Sequence, residues 1–337
     1  VNPTSSRYAA TVVIALLILV GLMLLNIATG STTIPLTQVA SVLGLSSADV
    51  SPMTSRIILE LRIPRSLLAA LCGAGLAMVG AFLQTATRND LADPFLFGLS
   101  AGASAGAVAV ITRFGEQLGD WALPMAAFCG GILSAVAVTV LFLLQQSRGA
   151  ERLIICGLAI SFLFGALTNY LVFSGDQRAA SSILFWSLGG LGLARWDTLP
   201  FAVFSVLLLF GLTALRWRAL DALLAGGQTA ASMGVNLSRV RVEIFICCAF
   251  ATSLLVALTG VIGFIGLMIP HLARPLSGVL HKKLLPLTAI LGAILLCGGD
   301  WLSRQLLAPQ ELPIGIITAG LGGIFVLGML VKHQQGH

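Results

Sequence analysis

The sequence predicts an all-α integral membrane protein with about ten transmembrane helices. Three observations predict it. Only 9% of the residues are charged while 57% are hydrophobic, the apolar residues fall in long continuous runs, and those runs lack period-two alternation. A soluble domain is about a quarter charged. A chain with mean hydropathy +1.00 cannot hide so much apolar surface by folding on itself. Inside lipid every backbone N–H and C=O needs an internal partner, which leaves helices or closed barrels. A barrel requires the alternation that is missing here.

The first run, Tyr8 to Ala28, has 21 residues. That exceeds a signal-peptide core, so it reads as an uncleaved span. Spans follow at 66–86, where Pro64 opens the helix, and at 95–112, 121–144 and 153–173. The stretch 183–193, "ILFWSLGGLGL", is weakened by Gly189, Gly190 and Gly192 and reads as an interfacial or re-entrant piece. Further spans lie at 199–215, 242–258, 260–273, 284–302 and 312–331. In "TGVIGFIGLMIPHLARP" Gly260, Gly263 and Gly266 recur every third residue before Pro270 interrupts. A run of about 14 residues covers only ~21 Å of a ~30 Å hydrocarbon core. It must be sheltered by protein, and its small residues let neighbouring backbones approach. With no internal repeat or low-complexity linker, the reading is one transmembrane domain over residues 1–337.

Charge sets the orientation. With the N-terminus inside and ten crossings, twelve of the 19 basic residues are internal, among them Arg7, Arg148, Arg216, Arg218, Lys282 and Lys332. Seven are external: Arg56, Arg62, Arg65, Arg113, Arg178, Arg195 and Arg304. The asymmetry puts both termini in the cytoplasm. The net charge of +6 is scattered between apolar runs, which argues against nucleic acid.

Chemistry is sparse. Asp197, Glu243 and Asp300 lie near span ends, and His271, His281, His333 and His337 fall in internal segments, so a proton relay has no evident members. The three lysines, Lys282, Lys283 and Lys332, do not complete a P-loop. The six cysteines lack C-x-x-C spacing and read as small buried hydrophobes. No metal cluster or nucleophile–base pair points to an enzyme, and powered transport would draw on a partner.

Three connections have a pattern. In "LRIPRS", Arg62 and Arg65 flank Pro64; they read as snorkelling interfacial arginines or as a fixed positive pair for an acidic partner. "LDALLAGGQTAASMGVNLSRVR", 220–241, is too apolar for a solvated loop. A short helix there with an Ala/Met/Val face fits a groove on another protein or lies on the membrane surface. "TRNDLADPFLFGLSAGASAGA", 87–107, has a small-residue face for packing or for lining a pore.

At these residues the chain resembles the permease subunits of binding-protein-dependent ABC importers for ferric siderophores, haem and cobalamin. The landmarks are "LRIPR" at 61–65, "LQTATRNDLADPFLFGLSAGA" at 83–103, "FWSLGGL" at 185–191, "LLAGGQTAASMGV" at 223–235, "GVIGFIGLMIPHLAR" at 260–274 and "ELPIGIITAGLG" at 311–322. The resemblance implies the type II ABC importer permease fold, with ten spans per subunit, in a homodimer with the route on its two-fold axis. It implies two ATPase subunits on the cytoplasmic side, holding ATP and Mg, with no cofactor on this chain. A periplasmic binding protein would deliver the cargo at a Gram-negative inner membrane. It also implies that Arg62, Arg65 and Arg304 meet acidic residues of that binding protein. A coupling segment at about 220–236 would dock into the ATPase through Ala225, Gly226, Ala230, Ala231, Met233 and Gly234. Span 153–173 and the segment after it would border the route, with Asn169, Ser174 and Trp186 as path residues. A ferric siderophore is the first cargo expected, haem the second and cobalamin the third. The competing class is an ion-coupled secondary transporter acting alone. The chain departs from the family at Asp90, where Asn-Pro-Leu-Ala is usual, and at Gly322-Gly323-Ile324, where Gly-Ala-Pro is usual.

Overall fold

A computed structural model describes residues 5–30, 32–115, 117–145, 149–175 and 177–334, without the side chains of 177–178 and 332–334. The side chains of Arg148, Arg178, Lys332, His333 and His337 lie outside that set.

Apolar runs become helices because a helix satisfies its own backbone in lipid. In chain order these are α1 (Ser5–Ala28), α2 (Leu36–Val42), α3 (Pro52–Arg56), α4 (Ile63–Thr87), α5 (Leu99–Arg113), α6 (Ala122–Leu144) and α7 (Ala150–Ser174). They continue with α8 (Gln177–Ser187), α9 (Leu199–Leu224), α10 (Gly227–Ser232), α11 (Leu237–Thr259), α12 (Ile265–Ser277), α13 (His281–Gln305) and α14 (Ile314–Gln334). Among the described residues eight helices are long and apolar enough to cross a membrane. The shorter α5 and α12 complete the ten expected spans.

Two sequence expectations need correction. Pro64 does not open the second span: helix runs unbroken from Pro52 to Thr87, passing through a π turn at Ile57–Arg62. Proline removes one N–H and crowds the carbonyl four residues back. The wider π turn just before it is a usual way to absorb such a defect. Pro270 likewise does not end its helix, since α12 continues through Pro270 and Pro275 to Ser277. The freed Gly266 carbonyl is taken by another helix: Gln84 Nε2 on α4 donates to Gly266 O at 3.1 Å and to Leu267 O at 3.3 Å.

α4 is the hub, buried along almost its whole length and packed on α9, α11, α12 and α13. Glycine allows this. A Cβ added at Gly73 would overlap the Gly292 backbone of α13, and one at Gly80 would overlap the Gly266 backbone of α12. In lipid, where helices gain nothing from leaving water, such close backbone approach is the main source of association.

The 15 residues of α5 and the 13 of α12 reach about 20 Å, less than the ~30 Å core. Their approach segments, 88–98, which holds one 3-10 turn at Pro94–Phe97, and 260–264, meet inside the protein. Pro94 abuts Gly266, and the Phe95 ring faces Gly263. Exposed N–H groups at helix starts are tolerated at membrane depth only under such cover. Phe264 sits at φ 69°, against Gly322, where an added Cβ would strike its ring. Gly322 is therefore required by the turn into α12.

Candidate functional site

The two ends of the bundle differ in what they present. At one end the chain leaves α9, turns at Gly226 (φ 115°), makes the six residues of α10, turns again at Gly234 (φ 81°) and enters α11. Asn236 caps α11 by accepting from Arg239 N at 3.1 Å. Left-handed backbone at both turns suits glycine.

This hairpin of helices is braced from behind. Arg216 and Arg239 both pair with Glu243, at 2.8 and 3.3 Å, beside a cavity of about 290 Å³ next to Gly234. Asp221, near the end of α9, accepts from the backbone N–H of His281 at 2.9 Å and contacts its Nδ1 at 2.7 Å. The fully buried His281 ring meets Thr85 Oγ1 at 2.8 Å. One carboxylate thus caps α13 and, through the imidazole, ties α9 to α4. Arg274 joins Gln84 Oε1 at 2.7 Å and Asp90 at 3.0 Å. The departure from the family at Asp90 therefore supplies an ion pair to α12.

Of the six residues expected to couple, Ala225, Ala231, Met233 and Gly234 are exposed, and Gly226 is partly so. Met233 is 67% exposed. Ala230 is fully buried and packs inward. Ala230 and Met233 therefore do not share the single Ala/Met/Val face expected from the sequence. With only six helical residues between two glycine turns, α10 is too short to keep one face over its length.

At the opposite end the arginines cluster. Arg62 and Arg304 are each only 7% exposed. Arg62 donates to Ile27 O at 2.7 Å and to Thr32 O at 2.5 Å. Arg304 donates to Thr29 O at 2.8 Å and to Asn26. Both saturate the carbonyls that close α1, which no later turn of helix can reach. Arg65 instead pairs with buried Asp300 at 2.9 Å and half-exposed Glu311 at 2.8 Å. Asp300 also holds Arg304 at 3.2 Å. Arg65 is thus the arginine of the three with a path to solvent.

Beside Arg65 and Glu311 lies a cavity of about 350 Å³, bordered by Trp186, the stretch Gly189-Gly190-Leu191-Gly192, Thr259, Gly260 and Ile314. Backbone bonds frame it: Gly190 N donates to Thr259 O at 2.8 Å, and Gly315 N to Leu188 O at 3.0 Å. The 183–193 stretch, expected to be interfacial or re-entrant, forms the end of α8 and this glycine turn. Of the three expected path residues Trp186 alone lines the cavity; Asn169 and Ser174 sit on the exposed face of α7 with Phe162 and Phe173.

Sequence reasoning missed Asn26, Gln84 and the Asp221–His281 pair. A single polar residue inside an apolar run marks Asn26 and Gln84 as bonded to something, because an unpaired amide in lipid is costly.

The FecCD transport family matches residues 16–332. The Hemin transport system permease protein HmuU of Yersinia pestis is 36% identical over 282 residues, 83% of this chain and 84% of that one. The Fe(3+)-citrate import system permease protein YfmE of Bacillus subtilis is 37% identical over 328 residues, 96% and 95% of the two chains. A solved structure described as an inward-facing conformation of a metal-chelate type ABC transporter superposes with a TM-score of 0.83 at 30% identity, covering 96% of this chain and 98% of that one. Eight helices long and apolar enough to cross a membrane among the described residues, two shorter helices between them and this likeness along nearly the whole chain place it together with those proteins: it belongs to the FecCD transport family, the membrane permeases of ABC importers for iron chelates, haem and vitamin B12.

Proposed function

We propose that this chain is the translocation subunit of an ABC importer that carries an iron chelate into the cytoplasm. Two copies form the route. Two ATPase subunits, with their ATP and Mg, engage the α10 end, which is cytoplasmic together with both termini. A binding protein delivers cargo to the arginine end at the outer side of the cell inner membrane. A ferric siderophore is the first cargo, haem the second and cobalamin the third; the names of similar relatives include both haem and ferric citrate.

The observation that carries this reading is the construction of 220–241. Met233 and Ala231 are offered to the outside, while Asp221, Glu243 and His281 lock the segment to four spans. A lever needs an exposed grip and a stiff shaft, and this segment has both. ATP-driven approach of the two ATPases would carry α10 with it and tilt α4, α9, α11 and α13. At the outer end Arg65, backed by Glu311, meets the acidic face of the binding protein, and Arg62 and Arg304 hold the platform behind it. The exposed apolar face of α7, where Phe173 is 90% exposed, faces the second copy and the route, with Asn169 and Ser174 on it.

Met233→Cys should cross-link to the ATPase. Met233→Glu, at a 67% exposed position, should leave the protein folded and ATP hydrolysis intact while uptake falls. Uptake by the reconstituted chain under an ion gradient, without any ATPase, would overturn the reading in favour of a secondary transporter.

A further inference from the structure

Among the cations at the α10 end that have no acidic partner among the described residues, Arg218 on α9 and Lys282 and Lys283 on α13 are distinguished by lying over aromatic rings. They are gathered by two aromatic rings. Arg218 lies 5.0 Å and Lys282 5.6 Å from the Trp217 ring centroid, and Lys283 lies 5.5 Å from that of Tyr8. The Tyr8 hydroxyl donates to Lys283 O at 2.9 Å, binding the start of α1 to the start of α13. The nearby acids are already engaged, Asp221 by His281 and Glu243 by Arg216 and Arg239. Ring faces attract cations but do not neutralise them. Arg218 and Lys282 on one ring, with Lys283 following Lys282 in the chain, make an unneutralised positive patch that suits an anion.

Placement identifies the anion. α13 packs on both α1 and α9, so its first turn lies between them. α9 has 26 residues, about 39 Å, longer than the hydrocarbon core, which leaves Trp217 near the boundary rather than deep within it. Tyr and Trp at this level, with Lys and Arg beside them, match a headgroup region. Toward the membrane interior the neighbouring surfaces turn apolar, with Leu215 on α9 82% exposed and Val13, Leu16 and Leu17 exposed on α1. A molecule with an anionic head and aliphatic tails covers both parts.

We infer that Tyr8, Trp217, Arg218, Lys282 and Lys283 form a binding site for an anionic phospholipid. Its phosphate would sit among the cations and its acyl chains along α1 and α9. This needs only that the helices lie in a bilayer, so it stands or falls separately from the importer reading.

The test uses the full chain in detergent, offered phosphatidylglycerol or phosphatidylcholine, with retained lipid counted by native mass spectrometry. The chain should keep phosphatidylglycerol selectively and gain thermal stability from it, and not from inorganic phosphate. Replacing all three cations (Arg218→Gln, Lys282→Gln, Lys283→Gln) should lower phosphatidylglycerol affinity on the order of a hundredfold, leaving phosphatidylcholine unchanged. If that variant does not fold, Lys282→Gln and Trp217→Leu alone should each weaken the selectivity severalfold. Equal retention of both lipids by the unaltered chain overturns the site. So does full phosphatidylglycerol binding by the variants, or stabilisation by phosphate alone. Loss of ATPase binding with lipid retention intact would assign the patch to a protein partner instead.

Discussion

The bond between Gln84 and the carbonyl freed by Pro270 can be isolated by a double-mutant cycle. In the native chain Gln84→Leu removes two contacts to α12 carbonyls, at 3.1 and 3.3 Å, and the acceptor of Arg274 at 2.7 Å. A buried group left without its partner costs about 1–3 kcal/mol, and one bonded to a charge lies at the upper end, so the substitution should cost about 3–5 kcal/mol. Pro270→Ala restores an N–H four residues after Gly266, and that N–H can take the Gly266 carbonyl within α12. In the Pro270→Ala background Gln84→Leu then loses mainly the Arg274 contact, and its cost should fall by about 1–2 kcal/mol. Chemical or thermal unfolding of the four proteins in one detergent reads the difference. Equal cost of Gln84→Leu in both backgrounds would refute the claim that Gln84 repairs the proline defect. It would leave Gln84 as a partner of Arg274 alone.

Close packing gives an asymmetric pair. Gly80→Ala places its methyl inside the Gly266 backbone and should destabilise by about 2–3 kcal/mol, whereas Gly266→Ala meets its nearest atom, Leu76 O, at 3.1 Å and should cost less. Similar unfolding midpoints for the two variants would contradict that geometry. His281→Ala removes the buried imidazole between Asp221 and Thr85, leaving Asp221 only the backbone N–H at 281, and should cost about 2–3 kcal/mol, while Asp221→Asn, which still accepts that N–H, should cost less.

Lipid makes spans legible in a sequence, because it demands continuous apolarity wherever a helix faces it. The ten helices, the small faces of α5 and α12 and the short glycine-turned segment at 223–235 could all be read for that reason. The same rule obscures whatever is satisfied by a distant partner. Pro270 reads as a stop because the residue that repairs it, Gln84, is 186 positions away in the chain and on another helix. Pro64 reads as a start because the π turn that absorbs it lies in residues of ordinary composition. Arg62, Arg65 and Arg304 look equivalent in the sequence. Their roles separate only when α1 ends beside two of them and Asp300 and Glu311 beside the third.

The polar groups are distributed so that the bundle is fastened at its ends and greased in its middle. At the α10 end Gln84, Thr85, Asp221, Arg274 and His281 interlock α4, α9, α12 and α13 through hydrogen bonds. At the other end Asn26, Arg62, Arg65, Asp300 and Arg304 interlock α1, α4 and α13. Between them the contacts of α4 are glycine against backbone, as at Gly73 with Gly292. Polar bonds in lipid break only at a cost of unsatisfied groups, whereas dispersion contacts at a glycine face change gradually as helices slide. Helices fastened in this way are tied to α4 and α13 at both ends. On the proposed function, a displacement applied at residues 225–234 would be carried along those two helices toward Arg65 without a polar relay in the membrane interior.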